Sequence, residues 1–258
     1  MDKGIIYIAT GAKYCEEAAA SARSSRAAMP DIPITLFTDH PEQVKAGVFD
    51  GVELIANPTH SLLDKIEPLC RSPYERTLFL DTDTYVLGPV YELFEILDRY
   101  EFSYCQAPGR GADNPDYLAI CPMAFAEPNT GVMSYRRTER TVKLFRDWRA
   151  CYEAQVAEQP RRITHDQPAF RKVLYESDVR ALVLPPEYNL RTIFPLFKGR
   201  MPAKILHGRN PTLGAALKVL GNPRYIDRCV VFNFRDDLTF LGKRKRKLQR
   251  FLAKLRTP

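Results

Sequence analysis

Thr77-Leu-Phe-Leu-Asp-Thr-Asp-Thr-Tyr-Val86 decides how this chain is read. Leu78, Phe79 and Leu80 are apolar at three consecutive positions, which suits a strand covered on both faces, as in a parallel sheet flanked by helices. The run stops at two carboxylates one residue apart, Asp81 and Asp83. Open α/β sheets bind ligands beyond the carboxyl ends of their strands, so the acid pair stands where a ligand would sit. Two carboxylates at that spacing repel each other unless a cation lies between them, and hard oxygen donors suit Mg²⁺ or Mn²⁺. The natural ligand of such a pair is a phosphate ester held through the metal. An Asp-x-Asp triplet arises by chance in a chain with this much aspartate, so its weight rests on the strand before it and on residues elsewhere that could join it.

Working outward, Gly4–Thr10 reads as a buried first strand, followed by an Ala-rich helix over Cys15–Met29 with Glu16 and Glu17 in its first turn. Pro30 and Pro33 end that helix, Ile34–Thr38 is a second strand and Val52–Ile55 a third. Leu62–Leu69 is helical until Pro68 interferes. Beyond the acids come a helix over about Val90–Asp98 and a strand at Phe102–Cys105. This alternation predicts an α/β fold with a mainly parallel, doubly wound sheet. Pro108, Gly109, Gly111, Asn114, Pro115 and Pro122 then crowd a loop of the length used for lids or substrate-binding segments. Met123–Ala126 and Val132–Tyr135 are predicted to pair around a turn at Asn129-Thr-Gly131. Thr138–Glu158 is a long helix with an apolar stripe at Val142, Phe145, Trp148 and Tyr152, and that spacing assigns Trp148 to the core. A helix over Asp166–Tyr175 and strands at Ala181–Leu184 and Lys204–His207 complete the body.

With 258 residues the chain can bury a substantial core. Its net charge of +7 is not spread over the fold. Eight basic residues and no acid fall within residues 243–258, so subtracting them from +7 leaves −1 for residues 1–242. The domain boundary is drawn there. Leu248, Phe251, Leu252 and Leu255 recur at helical spacing in this tail, with Lys and Arg on the other faces. That pattern is a basic amphipathic helix suited to an anionic membrane surface. No nucleic-acid partner is expected. Six scattered cysteines without a C-x-x-C pair suggest core thiols rather than zinc or disulfides. No apolar stretch is long enough to span a bilayer and no signal-type segment opens the chain, so a cytoplasmic protein is expected.

Several segments, in order, resemble the retaining nucleotide-sugar glycosyltransferases of the GT-A fold, the family that includes glycogenin and bacterial lipopolysaccharide galactosyltransferases. They are Ile8-Ala-Thr10 with Tyr14, Lys65, Asp81-Thr-Asp83, Asn129-Thr-Gly131, His165-Asp-Gln167 and Ile205-Leu-His-Gly208. The resemblance implies a single GT-A, Rossmann-like domain over residues 1–242 and a nucleotide pocket at Ala9 and Thr10, with Tyr14 stacked on a uracil base. It implies a donor-side cation at Lys65 and a metal site at Asp81, Asp83 and His207 holding Mn²⁺ or Mg²⁺, with Thr82 beside it. Asp166 and Gln167 would flank the donor sugar as the catalytic pair, and Asn129 would contact the same sugar. His165 is the competing histidine, placed by the same pattern near the sugar.

The implied reaction moves a sugar from a nucleoside diphosphate, UDP above all, to a glycan or lipid-linked acceptor with retention at the anomeric carbon. The leaving phosphate would take the acceptor proton, so no separate base is required. Two departures stand out. The family's Lys-Pro-Trp after the histidine is replaced by Gly208-Arg-Asn-Pro-Thr-Leu213, leaving Arg209 as the stand-in phosphate grip, and Arg161-Arg-Ile-Thr164 stands where an acid often precedes Asp-Gln. Two other readings share the acid pair. One is a haloacid-dehalogenase-type phosphatase with Asp81 as nucleophile and Asp236-Asp237 as later ligands. The other is a non-catalytic protein of the same fold acting through its tail.

Overall fold

The computed structural model describes residues 2–44, 46–107, 121–158, 165–193 and 201–221. The loop at Pro108–Pro115, Arg161–Thr164, Cys229, Asp236-Asp237 and the basic tail therefore lie outside the described residues.

Strands β1 (Lys3–Ala9), β2 (Ile34–Thr38), β3 (Gly51–Leu54) and β4 (Arg76–Leu80) are joined with β6 (Phe102–Gln106), β7 (Pro128–Arg136) and β8 (Ala181–Leu184) in one sheet. Its order is β3-β2-β1-β4-β7-β6-β8. Every neighbouring pair is parallel except the two that involve β7, which runs against both β4 and β6. The mainly parallel α/β fold expected from the sequence is thus observed. The apolar runs have the predicted cause, because alternate side chains of one strand enter different cores. Ile5, Tyr7, Leu78 and Leu80 pack with Ala18 and Ala22 of α1 (Ala12–Ala28) and Phe94 of α3 (Glu92–Glu95). Ile6, Ile8 and Phe79 pack on the other face. Their partners there are Ile66 and Leu69 of α2 (Ile66–Cys70), Phe145 and Trp148 of α4 (Glu139–Glu158), and Phe170 of α5 (Gln167–Glu176). Trp148 is fully buried, as its stripe position predicts.

Strand β5 (Thr84–Val86), immediately after the acid pair, leaves the main sheet. It joins a small second sheet, β5-β10-β9, with β10 at Ile205–His207 and β9 at Leu190–Arg191. Helix α6 (Thr212–Leu220) follows β10, and Ala216 packs on Leu190 and Leu206.

Three expectations are corrected. The hairpin around Asn129-Thr-Gly131 does not form: residues 128–136 are one continuous strand, because β4 and β6 hydrogen-bond it from both sides and leave no edge at which to turn. Helix α1 begins at Ala12, so Glu16 and Glu17 do not lie in its first turn. The helix over Val90–Asp98 is a single α turn at Glu92–Glu95 continued by a 3₁₀ turn at Ile96–Asp98. The five described cysteines are free, and three of them are buried. Among the described residues, no helix is long and apolar enough to cross a membrane.

Candidate active site

The parallel strands β1, β2 and β4 end at one edge of the sheet, and the antiparallel β7 begins there. Asp81 follows β4 directly, and its backbone N–H donates to the Gly131 carbonyl at 2.8 Å, which ties the acid turn to β7. A buried hydroxyl chain anchors the turn from behind: Thr84 Oγ1 donates to the Asp81 carbonyl at 2.8 Å and meets Ser21 Oγ of α1, which in turn donates to Tyr7. Helix α1 thus holds the turn that carries both acids. Pairing of β5 with β10 places His207 opposite Thr84, and the Gly208 N–H donates to the Asp83 carbonyl at 2.8 Å. More than a hundred residues of chain separate His207 from the acids, yet one strand pairing delivers it.

Donor atoms of Asp81, Asp83 and His207 all lie within 4.8 Å of one another. His207 Nε2 is 3.3 Å from the Asp83 carboxylate and 3.7 Å from that of Asp81. Two carboxylates and an imidazole are a donor set for a divalent ion such as Mn²⁺. Gly131 keeps the space open, since a Cβ there would stand 2.1 Å from His207 Cε1 and 2.8 Å from the Asp81 carboxylate. The two acids are not equivalent. Burial raises the Asp81 carboxyl above its ordinary value against the pull of Lys65 and His207. Burial also pushes Asp83 upward, but His207, Arg209 and Arg191 outweigh it and hold that carboxyl well below the usual carboxylate range.

On the main-sheet side of the acids, Lys65 Nζ lies 2.7 Å from Asp166 Oδ2 and donates to Thr130 Oγ1 at 2.9 Å. Thr130 Oγ1 donates to the same carboxylate at 3.1 Å, and the Trp148 indole N–H donates to the Asp166 carbonyl at 3.1 Å. Burial lowers the Lys65 pKa, but Asp166 and Asp81 more than compensate and the ammonium is held charged. Asp166 precedes α5 at the capping position, yet its side chain makes no capping hydrogen bond and turns instead to Lys65. Asn129 Nδ2 donates to Gln167 Oε1 at 3.0 Å, so the predicted sugar-side residues Asn129, Asp166 and Gln167 do stand together.

On the opposite side Arg209 reaches back over α1. Its Nε donates to both Glu17 oxygens at 3.1 Å, its Nη1 lies 3.4 Å from Asp83, and its guanidinium sits 5.6 Å from the centre of the half-exposed Tyr14 ring. Thr82 Oγ1 donates to Glu17 as well, at 3.2 Å. Ala9 ends β1 buried, and Thr10 Oγ1 donates to Asp64 at 2.9 Å. His165 is exposed and stands outside the three-residue cluster.

Sequence reasoning missed Asn189 and Arg191. Asn189 Oδ1 is 2.8 Å from His207 Nδ1, and Arg191 Nη1 lies 2.6 Å from His207 Nε2. Arg191 is opposite His207 because β9 pairs in parallel with β10. A two-residue strand has no periodicity to read, so nothing in the string marked either residue.

No protein-family model matches the chain, and neither does any curated protein sequence. Solved structures do match. A crystal structure of the galactosyltransferase LgtC in complex with donor and acceptor sugar analogues superposes with a TM-score of 0.55 at 14% identity, covering 82% of this chain and 88% of that one. A crystal structure of an active-site mutant of LgtC gives 0.54 over the same shares at the same identity. The fold is of the GT-A glycosyltransferase type. Within it, the Asp81–Asp83–His207 cluster lies at the carboxyl edge of the sheet. The phosphatase reading is not favoured by this match.

Proposed function

We propose that the chain is a metal-dependent glycosyltransferase that moves a sugar, with retention, from a nucleoside diphosphate, UDP in the first instance, to a glycan or lipid-linked acceptor. The observation that carries this reading is the convergence of Asp81, Asp83 and His207 within 4.8 Å at the ligand edge of a GT-A fold, faced by the Lys65–Asp166 pair. A divalent ion, Mn²⁺ or Mg²⁺, bound by the three residues would supply charge neutralisation for the departing diphosphate.

The protein's own groups do the rest. Tyr14 offers a ring face to the base, Ala9 and Thr10 border its pocket, and Arg209 can turn from Glu17 to the diphosphate, which restores a cation where the family's lysine is missing. Lys65 holds the Asp166 carboxylate in place at 2.7 Å, where it can accept hydrogen bonds from sugar hydroxyls beside Gln167. With Asp81 and Asp83 at the metal position and Asp166 paired with Lys65, the acceptor proton passes to the leaving phosphate oxygen, and attack comes from the face that the diphosphate leaves. Residues 243–258 form a separate basic tail that holds the enzyme at an anionic, cytoplasmic membrane face, where a lipid-linked acceptor is presented.

A panel of nucleotide sugars with Mn²⁺, assayed for nucleoside diphosphate release with and without chelator, tests the central reading. Chelator-sensitive release from one donor is expected; phosphate release from simple esters, or turnover indifferent to chelator, overturns it. NMR of the first product reports the anomer, and an inverted product removes retention. Flotation with anionic vesicles tests the tail.

A further inference from the structure

The hydrogen bonds between the metal-facing imidazole and the sugar-side amide form a continuous chain, and the direction of each can be worked out. An amide oxygen and nitrogen have nearly the same shape, so each side-chain amide could in principle face either way. One member of the chain has no such freedom, because a backbone N–H can only donate. The Gly131 N–H lies 3.1 Å from Asn129 Oδ1, which fixes that atom as the oxygen. Asn129 therefore turns its Nδ2 to Gln167, and the Gln167 atom at 3.0 Å must be the oxygen Oε1. The second lone pair of Asn129 Oδ1 accepts from Asn189 Nδ2 at 2.7 Å. Asn189 then has only its oxygen left for His207 Nδ1, at 2.8 Å, so that ring nitrogen carries the proton. In the neutral imidazole this leaves Nε2, the nitrogen nearest Asp83, with its lone pair. Arg191 Nη1 lies 2.6 Å from Nε2 and 3.0 Å from Nδ1, near both ring nitrogens, so the assignment rests on the amide chain alone.

We propose that Asn189 is a positioning residue that holds His207 in the tautomer able to bind a metal and, through Asn129, sets which end of the Gln167 amide faces the sugar, with the Gly131 N–H determining the direction of the whole chain. Asn129, Asn189 and His207 are all buried, so water does not replace a lost partner. Histidines that bind metals are oriented by a partner on the other ring nitrogen, and loss of that partner weakens metal affinity by about 10–100-fold. The chain goes further than that pairing because it is shared. The same asparagine that orients the metal ligand restrains Asn129, and Asn129 donates to Gln167 Oε1, so the amide end that Gln167 turns away from Asn129 is its Nε2, a donor, while Oε1 keeps a second lone pair. The Nε2 end offers a hydrogen bond to the sugar or the departing oxygen.

This rests on the proposed function for the roles of the metal and the sugar, but its test needs no turnover. In metal-free wild-type protein at mildly alkaline pH, imidazole ¹H–¹⁵N NMR is expected to show His207 protonated at Nδ1; a proton on Nε2 overturns the proposal without any variant. Mn²⁺ titration followed by electron paramagnetic resonance is the second readout. Asn189→Leu removes both hydrogen bonds and is expected to lose about 10–100-fold in Mn²⁺ affinity, whereas Asn189→Asp keeps an acceptor for Nδ1–H and is expected to hold the tautomer and most of the affinity. Asp at 189 also puts an acceptor against Asn129 Oδ1, so its defect is expected in nucleotide-sugar binding. Equal Mn²⁺ affinity in wild type and Asn189→Leu, or equal losses in the Leu and Asp variants, overturns the relay. A protein that binds Mn²⁺ as described but turns over no nucleotide sugar leaves the relay standing and removes the proposed function.

Discussion

Two cation–carboxylate pairs flank the acid turn, and they differ in almost everything but chemistry. Lys65 and Asp166 meet at 2.7 Å with side chains 10% and 5% exposed; Arg209 and Glu17 meet at 3.1 Å with side chains 51% and 24% exposed. Buried charges have no water to fall back on, so removing one partner of such a pair costs about 3–5 kcal/mol, whereas an exposed pair is worth about 0–1 kcal/mol. The first pair is part of the framework that holds Asp166 in place. The second is an arm that can exchange Glu17 for a ligand at little cost.

The sharpest way to break this contrast is Lys65→Met. It leaves the buried Asp166 carboxylate without its cation, with only Thr130 still bonded to it, and urea unfolding is expected to show a loss of about 3–5 kcal/mol. Adding Asp166→Asn to that variant is expected to recover part of the loss, and a purely additive double variant would contradict the framework role. Gly131→Ala comes next. Its methyl collides with the His207 ring, and overpacking of this kind costs about 1–3 kcal/mol; Mn²⁺ affinity is expected to fall with it, which calorimetry can measure.

Glu101 offers an intermediate case on the far side of the molecule: its buried carboxylate is bonded to Arg140, Thr138 and the Arg180 N–H. Burial raises that carboxyl, but these partners bring it below its ordinary value. A depressed carboxyl stabilises the fold above the unfolded-state value and loses that contribution as pH falls through the folded-state value. Glu101→Gln is therefore expected to cost about 1–2 kcal/mol at neutral pH, with the gap to wild type closing in acid. A gap that persists in acid would show that the charge is not its source. The smallest stability effect belongs to Arg209→Ala, within about 1 kcal/mol, and its consequence is expected in a raised KM for the nucleotide sugar. A large loss of stability there would erase the distinction between framework and arm.

Much of the site was legible as short strings. The strand of Leu78–Leu80 ending in Asp81 and Asp83 could be read because burial on both faces of a parallel sheet writes itself as an unbroken apolar run. Asn129, Asp166, Gln167 and His207 were found by resemblance, and the structure gathers them around the acids. Their surroundings were read less well. Asn129-Thr-Gly131 looked like a turn because those residue types favour turns, but pairing on both sides overrode the local preference. The resemblance puts Lys65 on the donor side, and nothing in the string announces that its ammonium faces Asp166 and Thr130.

By itself the sequence determined the α/β class, the strand that ends in two acids and the residue types able to hold a metal, because periodicity and strand-end chemistry are local properties of the chain. Only the tertiary structure decided that His207 closes the cluster, that Arg191 and Asn189 stand against its ring, and that Asp166 pairs with Lys65 rather than capping its helix. The first two of those facts depend on the three-residue β5, the three-residue β10 and the two-residue β9 finding one another across long stretches of chain. Pairing between such short strands is set by the packing around them and leaves almost no periodic trace in the sequence.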